Sequence, residues 1–161
     1  MTIKTGEKLP DATLTIATAD GREAKTTSEL FGGRTVALFS VPGAFTPTCS
    51  AKHLPGFVTH ADALKAKGID EIVCMSVNDA FVMAAWARSA NAQDKITMLA
   101  DGNADFTKAL GLEMDATKFG MGIRGQRFSF VAKDGVVSHL FIEEPGAFAV
   151  SSAEHMLAQL G

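Results

Sequence analysis

The sequence predicts an α/β fold: a central mixed sheet flanked by helices, with an N-terminal β-hairpin, in one domain over residues 1–161. Two observations carry this expectation. Short apolar runs at 35–40, 72–77 and 96–99 alternate with helical patterns at 48–67 and 80–89, the β-α-β-α-β order that right-handed crossovers turn into a parallel sheet. Two later runs, 128–132 and 136–142, flank Lys133-Asp134-Gly135 and read as an antiparallel hairpin. A chain of 161 residues is long enough to bury one substantial core.

Each element has a local reason. Leu14 and Ile16 alternate with Thr13 and Thr15, the period of a half-buried strand, and Asp20-Gly21 turns the chain back through residues 23–27. Ser28-Glu29-Leu30-Phe31 predicts a helical turn ending at Gly32-Gly33. The run 35–40 predicts a buried strand leading into a loop. Thr46-Pro47 is a helix-start pair, Thr as N-cap and Pro at the first helical position. The helix over 48–67 places Leu54, Phe57, Val58, Ala61 and Leu64 on one face, and Gly68 stops it. Pro55 has no N–H for the carbonyl of Ala51, so a kink is expected there. Asn78 or Asp79 caps the helix over 80–89, a short helix over 105–110 closes at Gly111, and a last helix covers 151–160.

Composition excludes several classes. The chain is 47% hydrophobic and 20% charged, which argues against disorder. Net charge is −3 and no basic block occurs, so neither nucleic acid nor an anionic membrane is an expected partner. No apolar run approaches the roughly 20 residues of a spanning helix. The N-terminus lacks a signal-peptide core, and a cytoplasmic location is the expectation. Two cysteines, Cys49 and Cys74, are too few and too far apart for a zinc site, and no metal is expected.

Cys49 is the chemical focus. It falls in the first turn of the 48–67 helix, where free N–H groups and the positive dipole end favour an anion and raise thiolate character. A buried inert thiol in a strand–helix turn would look the same, and position alone does not choose. Arg127 opens the strand 128–132 at a sheet end where α/β sites commonly lie, yet on its own it reads as a surface arginine. His53 is one helical turn beyond Cys49; a Cys–His nucleophilic pair is conceivable, and a structural or supporting role is the preferred reading. Gly120-Met121-Gly122 lacks the Lys-Ser/Thr of a phosphate loop, and Trp86 reads as core or interface.

The stretch Pro42-Gly43-Ala44-Phe45-Thr46-Pro47-Thr48-Cys49-Ser50, followed by His53-Leu54-Pro55-Gly56-Phe57, closely resembles the active-site segment of peroxiredoxins of the type II, peroxiredoxin-5-like branch. Met75-Ser76-Val77-Asn78-Asp79-Ala80-Phe81-Val82-Met83 and Arg124-Gly125-Gln126-Arg127-Phe128-Ser129 extend the resemblance, which runs from about Ile3 to Gln159. It implies a thioredoxin-like fold and a thiol peroxidase. Cys49 would attack hydrogen peroxide or an organic hydroperoxide and become a sulfenic acid. Thr46 would hydrogen-bond the peroxide or the thiolate, Arg127 would stabilise the thiolate and the leaving oxygen, and Pro42 would shield the site. Gly43 would provide backbone clearance. The family often has Ser where this chain has Gly125, a departure expected to loosen the loop, and the role of Arg124 is left open.

Cys74 lies inside an apolar run and reads as an inert buried thiol; in some type II relatives a cysteine at the matching place has been considered a resolving residue. A C-terminal resolving cysteine is absent, since Ala149-Val150-Ser151-Ser152 stands there. The resemblance implies no cofactor beyond an external thiol: glutathione or glutaredoxin first, thioredoxin second. It also implies a homodimer, for which Phe45, Phe81 and Phe119 on loops near the site could form the apolar face, unless these rings fill the core. Two rival functions remain at this point. A thioredoxin-type disulfide oxidoreductase is opposed by Thr46 in place of the first cysteine of C-x-x-C. A non-catalytic peroxide sensor or redox chaperone would use Cys49 only as a switch.

Overall fold

The computed structural model describes all residues, Met1–Gly161. Its centre is a seven-stranded sheet of strand order β2-β1-β5-β4-β3-β8-β9. Strands β1 (Thr13–Thr18) and β2 (Gly21–Thr26) form the N-terminal hairpin. Strands β3 (Thr35–Ser40), β4 (Glu71–Ser76) and β5 (Thr97–Ala100) are mutually parallel. Strand β8 (Phe128–Lys133) runs antiparallel to β3 and pairs with β9 (Val136–Ile142). The mixed sheet, its hairpin and its flanking helices are the thioredoxin-like architecture expected.

Alternation along the strands sorts the core into two layers. Val36 and Leu38 join Leu14, Phe31, Met75 and Phe130 on one face, against helices α1 (Thr27–Phe31) and α5 (Asp105–Ala109). Ala37 and Phe39 join Cys49, Cys74, Phe57, Trp86 and Met156 on the other. That second face is covered by α2 (Leu54–Thr59), α3 (Ala61–Ala66), α4 (Ala80–Ser89) and α6 (Ala153–Leu160). Both cysteines therefore occupy one side of the sheet. No helix is long and apolar enough to cross a membrane.

The helix predicted over 48–67 is not continuous. A π-helical turn spans Cys49–His53, with the N–H of Leu54 donating to the carbonyl of Cys49. Pro55 explains it: lacking an N–H and crowding the preceding turn, it is accommodated by widening that turn rather than by a simple kink. A second break falls at His60, which leaves helical geometry with ψ 10° and separates α2 from α3. Gly68 ends the segment at φ +98°, a conformation glycine adopts without penalty. Three features escaped the sequence reading. The first is the capping box of Thr26 and Glu29 on α1. The others are the short strands β6 (Glu113–Asp115) and β7 (Ile123–Gly125), which pair antiparallel as a separate two-stranded sheet.

Candidate active site

The loop after β3 carries the chain across the sheet end to Cys49, and β8 begins one residue after Arg127. Because β3 and β8 are paired neighbours, with Ser40 opposite Phe128, the two residues emerge side by side. Nη2 of Arg127 donates to Sγ of Cys49 at 3.1 Å. Cys49 has no exposed surface. A guanidinium is permanently charged and stabilises the anionic form of a sulfur it touches.

The other terminal nitrogen of Arg127, Nη1, donates to Nδ1 of His53 at 2.8 Å. The opposite ring nitrogen, Nε2–H, donates to the carbonyl of Ser151 at 2.9 Å. Both partners agree on one tautomer, with the proton on Nε2. Burial, and secondarily the Arg127 charge, lower the His53 pKa from 6.5 to about 3 against the opposing pull of the Ser151 carbonyl and Glu143. His53 is therefore neutral at physiological pH and serves as an acceptor that orients Arg127, as its supporting role anticipated. Phe148 caps the group, its ring 4.9 Å from the His53 ring and 5.8 Å from the guanidinium carbon.

Thr46 does not cap the helix with its side chain. Its hydroxyl donates to the carbonyl of Gly43 at 2.6 Å, while the N–H of Ser50 bonds to the Thr46 carbonyl as a helix start requires. With its proton so engaged, the hydroxyl offers lone pairs, not a donor, to its surroundings. Between these residues Phe45 takes a left-handed conformation, φ +65°. A side-chain-bearing residue there costs on the order of 1 kcal/mol. The turn is held from outside: the N–H of Ala44 donates to Oδ1 of Asn78 at 3.0 Å, and the hydroxyl of Ser76 donates to the same oxygen at 2.6 Å. Asn78 is thus a loop anchor, and the cap of α4 is Asp79, which accepts from the N–H of Val82.

Arg124 clamps the same loop from the far side. Its Nε donates to the Met121 carbonyl at 2.9 Å and its Nη1 to the Pro42 carbonyl at 3.3 Å. A Cβ on Gly43 would lie 3.0 Å from that Nη1 and 3.1 Å from Cγ2 of Thr46, so the expected need for clearance is present. Gly125 does not loosen its loop: it pairs with Glu113 in the small sheet, and a Cβ there would approach Oγ of Ser40 to 3.0 Å. Cys74 is free and fully buried, and burial with the nearby Cys49 raises its pKa well above 9.0. Trp86 is core, its Nε1–H donating to Oγ of Ser50 beside Cys49 at 3.0 Å.

One residue of the arrangement was missed altogether. Glu143 follows β9 and takes four donors on one oxygen: the N–H groups of Ala149, Val150 and Ser151 and the Ser151 hydroxyl, at 2.7–2.9 Å. In the sequence it is only the first residue of Glu143-Glu144-Pro145-Gly146, a turn composition.

A thioredoxin-like sheet that sets an arginine on a helix-start thiol describes a class of thiol-dependent redox proteins. The Redoxin family model matches residues 4–157. The chain is 54% identical over 164 residues to chloroplastic peroxiredoxin-2E-2 of Oryza sativa subsp. japonica, covering 99% of this chain and 73% of that one. It is 43% identical over 159 residues to peroxiredoxin-2B of Arabidopsis thaliana, covering 98% of each. Among solved structures it superposes on reduced Prx3 of Vibrio vulnificus in complex with H2O2 with a TM-score of 0.95 at 54% identity, over 99% of this chain and 100% of that one. On peroxiredoxin 5 of Alvinella pompejana the TM-score is 0.86 at 32% identity, over 98% and 97%. The chain belongs to the redoxin family and, within it, to the type II peroxiredoxins. Its relatives support a peroxidase function.

Proposed function

We propose that Cys49 is the peroxidatic nucleophile of a peroxidase that acts on hydrogen peroxide and organic hydroperoxides and is regenerated by glutathione or glutaredoxin, with thioredoxin as the second choice of reductant. The observation that carries the reading is the 3.1 Å contact from Arg127 to the Cys49 sulfur. The thiolate attacks one peroxide oxygen; an S–O bond forms as the O–O bond breaks, and the leaving oxygen takes a proton from solvent to depart as water or alcohol. Arg127 holds the thiolate and meets the charge that develops on the oxygens. Thr46, whose own proton points to Gly43, accepts a hydrogen bond from the peroxide O–H, so its part is orientation and the charge falls to Arg127. Pro42 forms the lip that Arg124 fixes.

The sulfenic acid of Cys49 then condenses with a first thiol to a mixed disulfide and water, and a second thiol releases Cys49. Cys74, buried within β4, takes no part in this cycle. The reading places the protein in a reducing cytoplasm, where such thiols are abundant. It also makes the protein a homodimer through the face bearing Phe45, Phe81 and Phe119, which are 51%, 66% and 71% exposed rather than core.

Intact-mass analysis after one equivalent of peroxide, with and without glutathione, tests the cycle. Wild type should gain one oxygen alone and one glutathione when the thiol is present, whereas Cys49→Ser should gain neither while keeping its fold. Peroxide turnover by folded Cys49→Ser would rule the reading out, and a Cys49–Cys74 bridge would replace the external thiol in the first reduction step.

A further inference from the structure

We propose that Glu143 is a positioning residue for the Cys49–Arg127 pair, acting through Ser151 and His53; the inference rests on the peroxidase reading above. Its placement begins in the sheet. Along the outer hairpin, Phe128 pairs with Ile142 and Val131 with His139, but Ala132 pairs with Val137, which leaves Ser138 as an extra residue in a β-bulge. That one-residue shift moves Glu143, instead of Ile142, opposite Arg127. The pairing is visible in the N–H of Glu143, which donates to the Arg127 carbonyl at 3.1 Å.

The side chain then gathers the returning loop. The N–H groups of Ala149, Val150 and Ser151 and the hydroxyl of Ser151 converge on Oε2. Glu143 is only 7% exposed. Burial alone would push its carboxyl up; the Ser151 hydroxyl and the three N–H groups outweigh it and hold the pKa below 4.5, so an anion sits there at neutral pH. An oxygen with four donors fixes Ser151 firmly, and with it the carbonyl that receives Nε2–H of His53 at 2.9 Å.

The consequence reaches the sulfur by elimination of alternatives. While the Ser151 carbonyl stays in place, Nδ1 of His53 has only a lone pair to offer, and Nη1 of Arg127 binds it at 2.8 Å. The guanidinium is a rigid plane, so fixing Nη1 aims Nη2 at Cys49. If the carbonyl moves, the ring can carry its proton on Nδ1 instead. Two N–H groups would then face each other, and Arg127 would turn away from the thiolate. Glu143 thus acts on the reacting atom without touching it.

The pH profile of Cys49 alkylation by iodoacetamide and the second-order rate with hydrogen peroxide, measured on Glu143→Ala and Glu143→Gln, test this. Glu143→Ala should shift the alkylation profile to higher pH and slow peroxide reaction by about 10- to 100-fold, the cost of a misplaced catalytic group. Glu143→Gln, whose amide oxygen can still accept the same donors, should move both readouts back toward wild type. A merely structural anchor would lower thermal stability and leave the alkylation profile where it is, and that result overturns the proposal. Should Glu143→Ala fail to fold, Glu143→Asp, one methylene short of the loop, takes its place with the same expected shift; a wild-type profile in Glu143→Asp overturns it equally. Alkylation consumes no peroxide, so absent turnover in wild type would defeat the peroxidase reading and leave this test intact.

Discussion

Replacing Arg127 by Met removes the charged donor that contacts the Cys49 sulfur and keeps only the apolar inner part of the side chain. The guanidinium makes two bonds, 3.1 Å to Sγ of Cys49 and 2.8 Å to Nδ1 of His53. Loss of a single donor aimed at developing charge costs about 3–4 kcal/mol, or about 100- to 1,000-fold in rate. A second effect is separable: the vacated Nδ1 is a buried acceptor without a partner, worth about 1–3 kcal/mol of stability. Removing the Arg127 charge also lifts one of the influences that keep the His53 pKa near 3, so that pKa should rise. Stopped-flow fluorescence provides the assay, because Trp86 is the one tryptophan of the chain and hydrogen-bonds Ser50 next to Cys49. Arg127→Met should show slow peroxide oxidation and an upward-shifted alkylation profile. A folded Arg127→Met protein that reacts as fast as wild type would refute the argument. Arg124 would be no substitute, since its Nε and Nη1 are held by the Met121 and Pro42 carbonyls, whereas Arg127 is the arginine bonded to the sulfur.

The parts of this site that were legible in the sequence are those encoded within a few residues of one another. Thr46-Pro47 announces a helix start, Cys49 follows within one turn, and apolar runs announce the strands on either side. Arg127 reads on its own as a surface arginine and is singled out by the resemblance of its motif to the peroxiredoxins; the antiparallel pairing of β8 with β3 delivers it to Cys49. What stayed hidden depends on register and tertiary contact. A bulge at Ser138 is one residue in a run of seven, with no glycine to mark it, yet it decides that Glu143 faces Arg127. Asn78 looked like a cap because Asn and Asp share that propensity; the structure separates them by which neighbour needs an acceptor, the orphan N–H of Val82 or that of Ala44. Pro55 announced a distortion, but whether a helix kinks or widens depends on what packs beneath it. Here the widened turn carries Cys49 and His53 into the core under Phe39, whose ring lies 4.8 Å from that of His53.

Three further outcomes are expected. Cys74→Ser should retain most glutathione-supported turnover, because Cys74 is sealed in β4; loss of both free thiols in a monomer treated with peroxide alone would instead show that the pair bridges. Sedimentation at micromolar concentration should give a dimer, and charged substitutions at Phe81 and Phe119 should weaken it; a fully active monomer would contradict the dimer reading. Stability should fall on both sides of neutral pH, for reasons that can be assigned. On the acid side, unfolded His53 takes up a proton near pH 6.5, whereas folded His53 resists it until about pH 3. Across that window the unfolded state binds more protons, so the His53 contribution to stability drops by about 1.4 kcal/mol for each unit of acidification. Glu143 acts in the same direction, since its depressed pKa gives stability that is present above 4.5 and lost as pH falls. On the alkaline side, burial keeps Cys74 neutral while an unfolded thiol ionises near 9.0, so stability falls again as pH rises through that value. Denaturant titrations of wild type and His53→Gln as a function of pH separate these effects. His53→Gln should flatten the slope between pH 6.5 and 5, and an unchanged slope there would mean that His53 is protonated in the folded protein, leaving Arg127 without its acceptor.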